Sequence, residues 1–257
     1  MDTKSKSLIR ITVNDKKLPT HTEQCHKKTE EIIYLIWKAE QSRKQYIVGQ
    51  LIKNGQFEFQ YVKDVKDAIK DAINDGFTPL LCFPDINKTY TDTKLFSVFA
   101  SRLPDKKRKD IQNILKKYGL EEFDEYMLLK RSGARLPIDS FEFIDPILDV
   151  DENGKRIFYI AGVRHYLDCD GDNCMESITI TRGDEIVLKS ESDNPYDQYA
   201  VQMQDKSGHI LGYVPGYYSE GVSRMLMVDK RVTCHVYNVD KNKNCNECIK
   251  AIIKFES

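Results

Sequence analysis

The sequence predicts an α+β protein with two successive modules, and three observations lead to that fold class. Residues 31–61 alternate apolar and polar side chains as strands do, and helical segments that end at glycines follow over 64–133. Residues 154–257 return to short strand-like segments, interrupted by one helical stretch from about Tyr217 to Met227. We therefore expect a mixed first module, with strands before helices, and a mostly antiparallel second module with one helix.

Composition divides the chain into four parts. Residues 1–30 are polar and rich in Lys and Thr, so we expect a mobile arm there, with one short strand over 8–13. The first domain is expected over 31–147. A polar linker over 148–153 separates it from the second domain, which is expected over 154–257.

The first domain is expected to contain three strands and four helices. The strands are predicted over 33–37, 46–52 and 57–61, and the hairpin signal Asn54-Gly55 joins the last two. The helices are predicted over 64–75, around 95–99, from 105 to about 118, and over 123–130. The aromatic residues at strand or helix spacings are assigned to the protein core: Tyr34, Trp37, Phe57, Phe59 and Phe96.

Charge and composition exclude several classes of protein. The formal net charge of −1 over 257 residues gives no global attraction to nucleic acid or to an anionic membrane, so a nucleic-acid site must be a local patch. No apolar run approaches the roughly 20 residues that cross a bilayer, and the N-terminus has no signal-peptide core. The seven cysteines, an odd number without regular spacing, favour a reducing cytoplasm.

The sequence lacks the motifs that mark common catalytic sites. It has no glycine-rich phosphate loop, no Gly-x-Gly-x-x-Gly, no His-x-Asp catalytic loop and no Gly-x-Ser-x-Gly elbow. Acidic residues are plentiful, but no recognisable motif pairs two of them. We therefore predict a protein that is not an enzyme and that uses no cofactor.

One turn in the second domain presents an aromatic ring beside a carboxylate. The strand-like segments 183–188 and 199–203 flank Asn194-Pro195, and asparagine before proline is a turn signal. A reverse turn there points Tyr196 and Asp197 outward. Turn chemistry explains the Asn, Pro and Asp, but it does not require an exposed Tyr. The alternative is that Asn194 and Asp197 only stabilise the turn while Tyr196 packs on the domain.

Four segments of the second domain occur in an order that resembles the HIRAN domain. They are Gly162 to Tyr166, the strand from Gly183, Asn194 to Asp197 with Ala200-Val201, and Gly208 to Pro215. The HIRAN domain is a small β-barrel related to OB-folds, found in certain DNA-repair helicases and in stand-alone bacterial proteins. The resemblance implies an antiparallel OB-like barrel with one helix, closed by strands over 231–237 and 249–255.

The resemblance also implies a small pocket for the 3′ end of single-stranded DNA. The matching positions are Arg164, His165, Tyr166, Asn194, Tyr196, Asp197 and Tyr213. By this resemblance His165 and Tyr196 stack on bases, a contact worth roughly 1–3 kcal/mol per base. Asp197 would accept a hydrogen bond from the 3′-hydroxyl, and Arg164 would meet a phosphate. Two positions depart from the family pattern: His165 replaces a tyrosine, and Gly216 replaces a basic residue.

The first domain resembles the N-terminal subdomain of HipA-type serine/threonine kinases over about 32–144. The most telling piece is Phe-x-x-Phe-Ala-x-x-Leu-Pro, from Phe96 to Pro104. It is flanked in the family order by Gly49 to Phe59, Leu80 to Pro84, Tyr118 to Leu120 and Arg131 to Ala134. In place of the kinase body, this sequence continues with the linker and the HIRAN-like module.

Two cysteine pairs raise the question of a metal site. Cys169 and Cys174 lie in a Gly/Asp-rich loop, and Cys245 and Cys248 lie between two predicted strands. Together they could close a four-thiolate zinc site. The alternative, two unrelated reduced pairs, fits the loose spacing better, and we assign no metal.

A basic run, Lys106 to Lys109, continues to Lys116 and Lys117 on the predicted helix 105–118. This run could contact successive phosphates of a nucleic-acid backbone. The simpler interpretation is a solvated face opposite Ile111, Ile114 and Leu115.

The two resemblances support one function and one alternative. We expect a non-catalytic protein that combines a module for the 3′ end of single-stranded DNA with a protein-interaction domain. It would be the antitoxin or regulatory partner of a separately encoded HipA-type kinase that lacks its own N-terminal subdomain. The alternative is a DNA-end-binding adaptor in DNA repair or phage defence, without a kinase partner. Neither hypothesis involves a membrane or a small-molecule substrate.

Overall fold

The computed structural model describes residues 31–62, 68–167, 179–228, 230–243 and 247–256. The strand predicted over 8–13 and the start of the helix predicted at residue 64 lie outside the described residues. Among the helices that the structure describes, none has the length and apolar character needed to cross a membrane.

A five-stranded antiparallel sheet forms the centre of the first domain, with the strand order β4-β3-β2-β1-β5. Its strands are β1 (Glu31–Lys38), β2 (Gln45–Lys53), β3 (Phe57–Tyr61), β4 (Tyr90–Asp92) and β5 (Phe141–Ile144). The three predicted strands are confirmed. The strands β4 and β5 were not predicted, because three and four residues are too few to show an alternating pattern.

The structure describes four helices in the first domain: α1 (Ala68–Asn74), α2 (Ser97–Ala100), α3 (Ile111–Lys117) and α4 (Glu125–Ser132). Two of them, α2 and α3, are shorter than the sequence suggested. The prediction that a helix starts at Asp105 is wrong. The Asp105 carboxylate accepts a hydrogen bond from the Lys107 N–H at 2.7 Å, a local turn that competes with helix formation. The helix α4 begins where Asp124 caps the Met127 N–H and ends at Gly133, whose φ is 72°.

The first domain has an aromatic core between the sheet and its helices. The ring centroid of Phe59 lies 4.5 Å from that of Phe83 and 5.2 Å from that of Phe99. The assignment of Phe59 to the core is confirmed, because its side chain is fully buried. Trp37 is partly buried and stacks on Tyr46 at 5.9 Å.

Two three-stranded antiparallel sheets form the second domain. One has the order β10-β11-β6 and the other β7-β8-β9. The strands are β6 (Gly154–Tyr159), β7 (Val187–Ser190), β8 (Val201–Gln204), β9 (Ile210–Tyr213), β10 (Arg231–Val239) and β11 (Ile249–Glu256). The helices are α5 (Val163–Tyr166) and α6 (Gly216–Met227). The helix predicted from about Tyr217 to Met227 is confirmed.

Two β-bridges join these sheets into a barrel. Ala161 pairs with Tyr213 at one seam, and Glu185 pairs with His235 at the other. The first seam requires glycine at position 212, whose φ is 141°. A Cβ there would lie 2.3 Å from the Ala161 carbonyl oxygen. The second domain is therefore a closed antiparallel barrel of the OB-like type, as the resemblance implied.

The strand β1 of the first domain's sheet packs against the cores of both domains. Along β1, Ile33 and Leu35 face the core of the first domain, while Tyr34 and Ile36 pack against the core of the second. The helix α6 approaches this second face so closely that a Cβ on Gly221 would lie 2.7 Å from Ile147 Cβ. The two domains therefore share one packed junction.

The close approach of Gly221 to Ile147 predicts that a larger residue at position 221 lowers the stability of the fold. Replacing a helical glycine by alanine normally stabilises a helix by up to about 1 kcal/mol. At Gly221 the added methyl must displace Ile147, so we expect Gly221→Ala to lower the free energy of unfolding by about 1–3 kcal/mol in urea denaturation.

The matched control is Gly216→Ala at the start of the same helix. No atom lies within 4 Å of a Cβ built at Gly216, so its effect should stay within about 0.5 kcal/mol. Stabilisation by Gly221→Ala would contradict the tight junction.

Candidate nucleic-acid interface

The turn between β7 and β8 is built by an asparagine. The Asn194 side-chain oxygen accepts hydrogen bonds from the backbone N–H groups of Tyr196 (3.0 Å) and Asp197 (3.2 Å). This side-chain mimic of a backbone turn is a common role of asparagine. Pro195 lies within it and has no N–H to satisfy. The geometry fixes the orientation of the next two residues.

Tyr196 and Asp197 differ in exposure. The Tyr196 side chain is 96% exposed, so it does not pack on the barrel. Asp197 is partly buried, and both its oxygens have partners. Its Oδ1 accepts from the Tyr199 N–H at 2.9 Å, and its Oδ2 accepts from the Ser219 hydroxyl at 2.7 Å. The carboxylate is therefore held in one place at the first turn of α6.

Behind the turn, Glu191 is the centre of a hydrogen-bond network. Its Oε2 accepts from Asn194 Nδ2 and from the Tyr213 hydroxyl, both at 2.8 Å. The Gln202 amide donates to the same Tyr213 hydroxyl at 3.2 Å. Two of the predicted site residues, Asn194 and Tyr213, are therefore joined through a carboxylate.

The helix α5 supplies the other wall of the site. It begins after Gly162, which has a φ of 76°, and it is anchored by the buried Val163. The Tyr166 ring lies 5.8 Å from the Tyr213 ring. Arg164 and His165 are exposed, and the structure gives their side chains no ion pair within the described residues.

The electrostatics of the site follow from these contacts. Burial, together with the hydrogen bonds to Tyr166 and Glu191, raises the pKa of Tyr213 to about 12, against the opposing effect of Gln202. Tyr213 is therefore a neutral donor at pH 7. The hydrogen bonds from Asn194 and Tyr213 lower the pKa of Glu191, which stays charged. The turn thus presents two carboxylates, those of Glu191 and Asp197.

Three residues of this site, Glu191, Gln202 and Ser219, carry little or no signal in the sequence. Glu191 is a polar residue at a strand end, and nothing in its neighbours marks it. Gln202 gives a weak signal, since it is a polar residue between the apolar Val201 and Met203 and is itself buried. Ser219 is a small polar residue inside a helix, and only its contact with Asp197 in the structure identifies it as a site residue.

The remaining candidates are the four cysteines and the basic run. Cys169, Cys174 and Cys245, three of the four candidate zinc ligands, fall outside the described residues, and Cys248 is buried. Among the described residues, no group of three or more His, Cys, Asp or Glu could hold a metal ion. Lys116 and Lys117 are exposed on α3, opposite the buried Leu115.

Comparison with protein families confirms both resemblances. Residues 154–253 match the model of the HIRAN domain, and residues 42–137 match the model of the HipA N-terminal domain. Both are non-catalytic modules, and the HIRAN domain is a module of the nucleic-acid-binding type. A search of curated proteins found no match.

Comparison with solved structures found two similar proteins. The HIRAN domain of human HLTF is 16% identical with a TM-score of 0.32, over 40% of this chain and 74% of that one. A protein from Lactobacillus plantarum is 20% identical with a TM-score of 0.31, over 40% of this chain and 100% of that one.

The network around Glu191 predicts how this carboxyl titrates. Because its pKa is lower when folded, the ionised form stabilises the fold above the unfolded pKa, and this contribution is lost as the pH falls through the folded value. We expect the Glu191 carboxyl to titrate below the usual range for glutamate when followed by NMR. Tyr213→Phe should move its pKa upward, because it removes one donor.

Tyr237→Phe is the control, since Tyr237 is a half-exposed tyrosine on the opposite sheet. A Glu191 pKa that responds equally to both variants would show that Tyr213 does not hold the carboxylate.

Proposed function

We propose that the protein is a non-catalytic binding protein with two partners. Its second domain holds the 3′ end of single-stranded DNA, and its first domain docks a separately encoded HipA-type kinase that lacks the corresponding subdomain. The proposal takes 31–147 and 154–257 as the two functional units and places the protein in the cytoplasm, where its cysteines stay reduced.

The observation that supports DNA-end binding most is the pairing of Tyr196 with Asp197. The exposed Tyr196 ring leaves its apolar surface in water, so it contributes no burial to the stability of the fold. Folding alone therefore gives no reason for a tyrosine at this position. Such a ring is suited to stack on a terminal base. The carboxylate next to it is immobilised by Tyr199 and Ser219, so it is positioned before any ligand arrives.

The chemistry of the turn favours a hydroxyl end over a phosphate end. Each carboxylate oxygen can accept two hydrogen bonds, so Asp197 Oδ2 keeps one position for a 3′-hydroxyl beside the Ser219 hydroxyl. A terminal phosphate would instead meet the charges of Asp197 and Glu191. Like charges about 4 Å apart repel by about 1 kcal/mol in water and about 4 kcal/mol near a protein surface.

The other predicted residues take supporting roles in this proposal. Arg164 is the exposed cation that meets a backbone phosphate, and His165 offers a smaller stacking surface beside it. Tyr166 and Tyr213 form the pocket wall, and Asn194 sets the turn. Gly216 places no positive charge beside the 3′ terminus of the DNA, which suits recognition of a hydroxyl group.

The kinase half of the proposal rests on the HipA-like match and on exposed apolar side chains. Leu81 is 98% exposed and Ile138 is 88% exposed, both on loops of the first domain. Arg102 fixes the loop of Ile138: its Nη1 contacts Asp139 Oδ2 at 2.5 Å, and its Nη2 donates to the Phe141 carbonyl at 2.9 Å. Exposed apolar side chains of this kind are suited to a protein partner.

The DNA-end proposal is tested by fluorescence anisotropy with two single-stranded DNAs that differ only in a 3′-hydroxyl or a 3′-phosphate. We expect the wild type to prefer the hydroxyl end. Asp197→Asn keeps the shape but removes the charge, so the preference should be lost. Tyr196→Ala should weaken binding about 5- to 150-fold, the equivalent of one stacked base, without affecting the fold.

The control for Asp197→Asn is Asp193→Asn, the same change at an exposed position of the same loop. Equal weak binding to both DNAs that fades with salt would mean nonspecific phosphate contact only, and the end pocket would be rejected.

The kinase proposal is tested by mixing the protein with a HipA-type kinase that lacks its N-terminal subdomain and measuring autophosphorylation. We expect suppression that Leu81→Asp or Ile138→Asp weakens at least several-fold, because each places a charge in an apolar contact. Met227→Asp, an exposed apolar position of the second domain, is the control. No effect on any such kinase would favour the DNA-end-binding adaptor without a kinase partner.

A further inference from the structure

A cleft of about 1420 Å³ lies between the two domains, and its lining carries a surplus of positive charge. Nine lysines and arginines line it, against five aspartates and glutamates, a surplus of four. The volume exceeds the roughly 300–1,000 Å³ of a typical small-molecule pocket. Its size and charge suit an extended polyanion better than a compact ligand.

Part of this charge is neutralised within the protein. Lys130 pairs with Asp145 at 3.3 Å, Arg135 pairs with Glu247, and the buried Arg156 pairs with Asp145 and Glu152. Five lysines of the lining have no ion pair within the described residues, and four of them are exposed: Lys116, Lys117, Lys155 and Lys243. All four are exposed, so they determine the charge that a ligand meets.

The floor of the cleft is the outer face of the sheet β10-β11-β6. Lys250 on β11 lies beside Tyr159 on β6, with its ammonium 4.6 Å from the Tyr159 ring centroid. The Arg135 guanidinium of the first domain lies 5.8 Å from the same ring. Tyr159 therefore positions two cations. Tyr237 on β10, which is 40% exposed, lines the same floor, and the Arg182 guanidinium lies 6.0 Å from its ring centroid.

The wall of the cleft comes from the end of α3 in the first domain. Lys116 and Lys117 occupy the last turn of this helix. The Lys117 ammonium lies 5.4 Å from the Tyr118 ring centroid, a contact that orients the side chain. Cations from both domains thus face the same space.

We propose that this cleft binds the sugar–phosphate backbone of single-stranded nucleic acid, as a second contact separate from the 3′-end pocket. Basic grooves with an accessible aromatic ring bind single strands without sequence preference, and the outer sheet faces of OB-like barrels serve this purpose. The inference does not depend on the end pocket. The two sites meet at the first turn of α6, where Tyr217 and Tyr218 line the cleft and Ser219 holds Asp197.

The test uses circular single-stranded DNA, which has no 3′ end. The dependence of affinity on salt concentration is measured for the wild type and for Lys116→Ala/Lys117→Ala. Each phosphate contact contributes about 0.7 to the slope of log K against log salt for single strands. We expect the double variant to reduce the slope by about 1.4 and to keep the preference for a 3′-hydroxyl on linear DNA.

Lys106→Ala/Lys107→Ala is the matched control, because these lysines belong to the same basic run, are equally exposed and do not line the cleft. An unchanged slope in the cleft variant, or an equal reduction in the control, would overturn the proposal. Lys250→Gln on the floor should lower the slope as well, and no change there would also count against it.

A competition assay distinguishes a nucleic acid from an acidic protein segment. Polyglutamate of the same total charge should displace the DNA less well than an unlabelled DNA does, because it lacks bases for Tyr237. Equal displacement would assign the cleft to acidic protein segments and reject the nucleic-acid proposal. Loss of the 3′-hydroxyl preference in Asp197→Asn, with the slope retained, would separate the end pocket from the cleft.

Discussion

The buried guanidinium of Arg156 holds the connection between the two domains, and the geometry of both surfaces depends on it. Its Nε donates to the Asp145 carbonyl at 2.6 Å and its Nη2 to the Pro146 carbonyl at 2.7 Å, while the carboxylates of Asp145 and Glu152 neutralise it. Arginine suits this position because its planar fork donates in several fixed directions. The connection anchored in this way leads directly into Ile147, which packs against Gly221.

The proposed DNA-end site depends on the closure of the barrel in the same way. The pairing of Ala161 with Tyr213 exists only because position 212 has no side chain. That seam places Tyr213 where its hydroxyl reaches Glu191, and Glu191 in turn holds Asn194. The exposed ring of Tyr196 is therefore supported by a chain of contacts that begins in the barrel wall. A flexible turn would lack this positioning.

The fold class could be predicted from sequence because hydrophobic periodicity and turn chemistry are local. The prediction of a helix over 105–110 was wrong because a competing local hydrogen bond, from the Lys107 N–H to the Asp105 carboxylate, outweighed the helical pattern. The six consecutive apolar residues from Ile32 to Trp37 were a usable signal that β1 is buried on both faces, and hence that a second domain packs on it. Glu191 and the cleft could not be predicted, because both arise from residues distant in sequence that only the fold brings together.

The central claim is that the turn at 194–197 receives the 3′ end of a single strand. The most direct measurement is NMR mapping of the labelled protein with a short oligonucleotide that ends in a 3′-hydroxyl, too short to occupy the cleft as well. The account predicts shifts confined to the turn, to α5 and to Tyr213, which weaken when the hydroxyl is replaced by a phosphate. Shifts confined to the cleft, or unchanged by the phosphate, would contradict it.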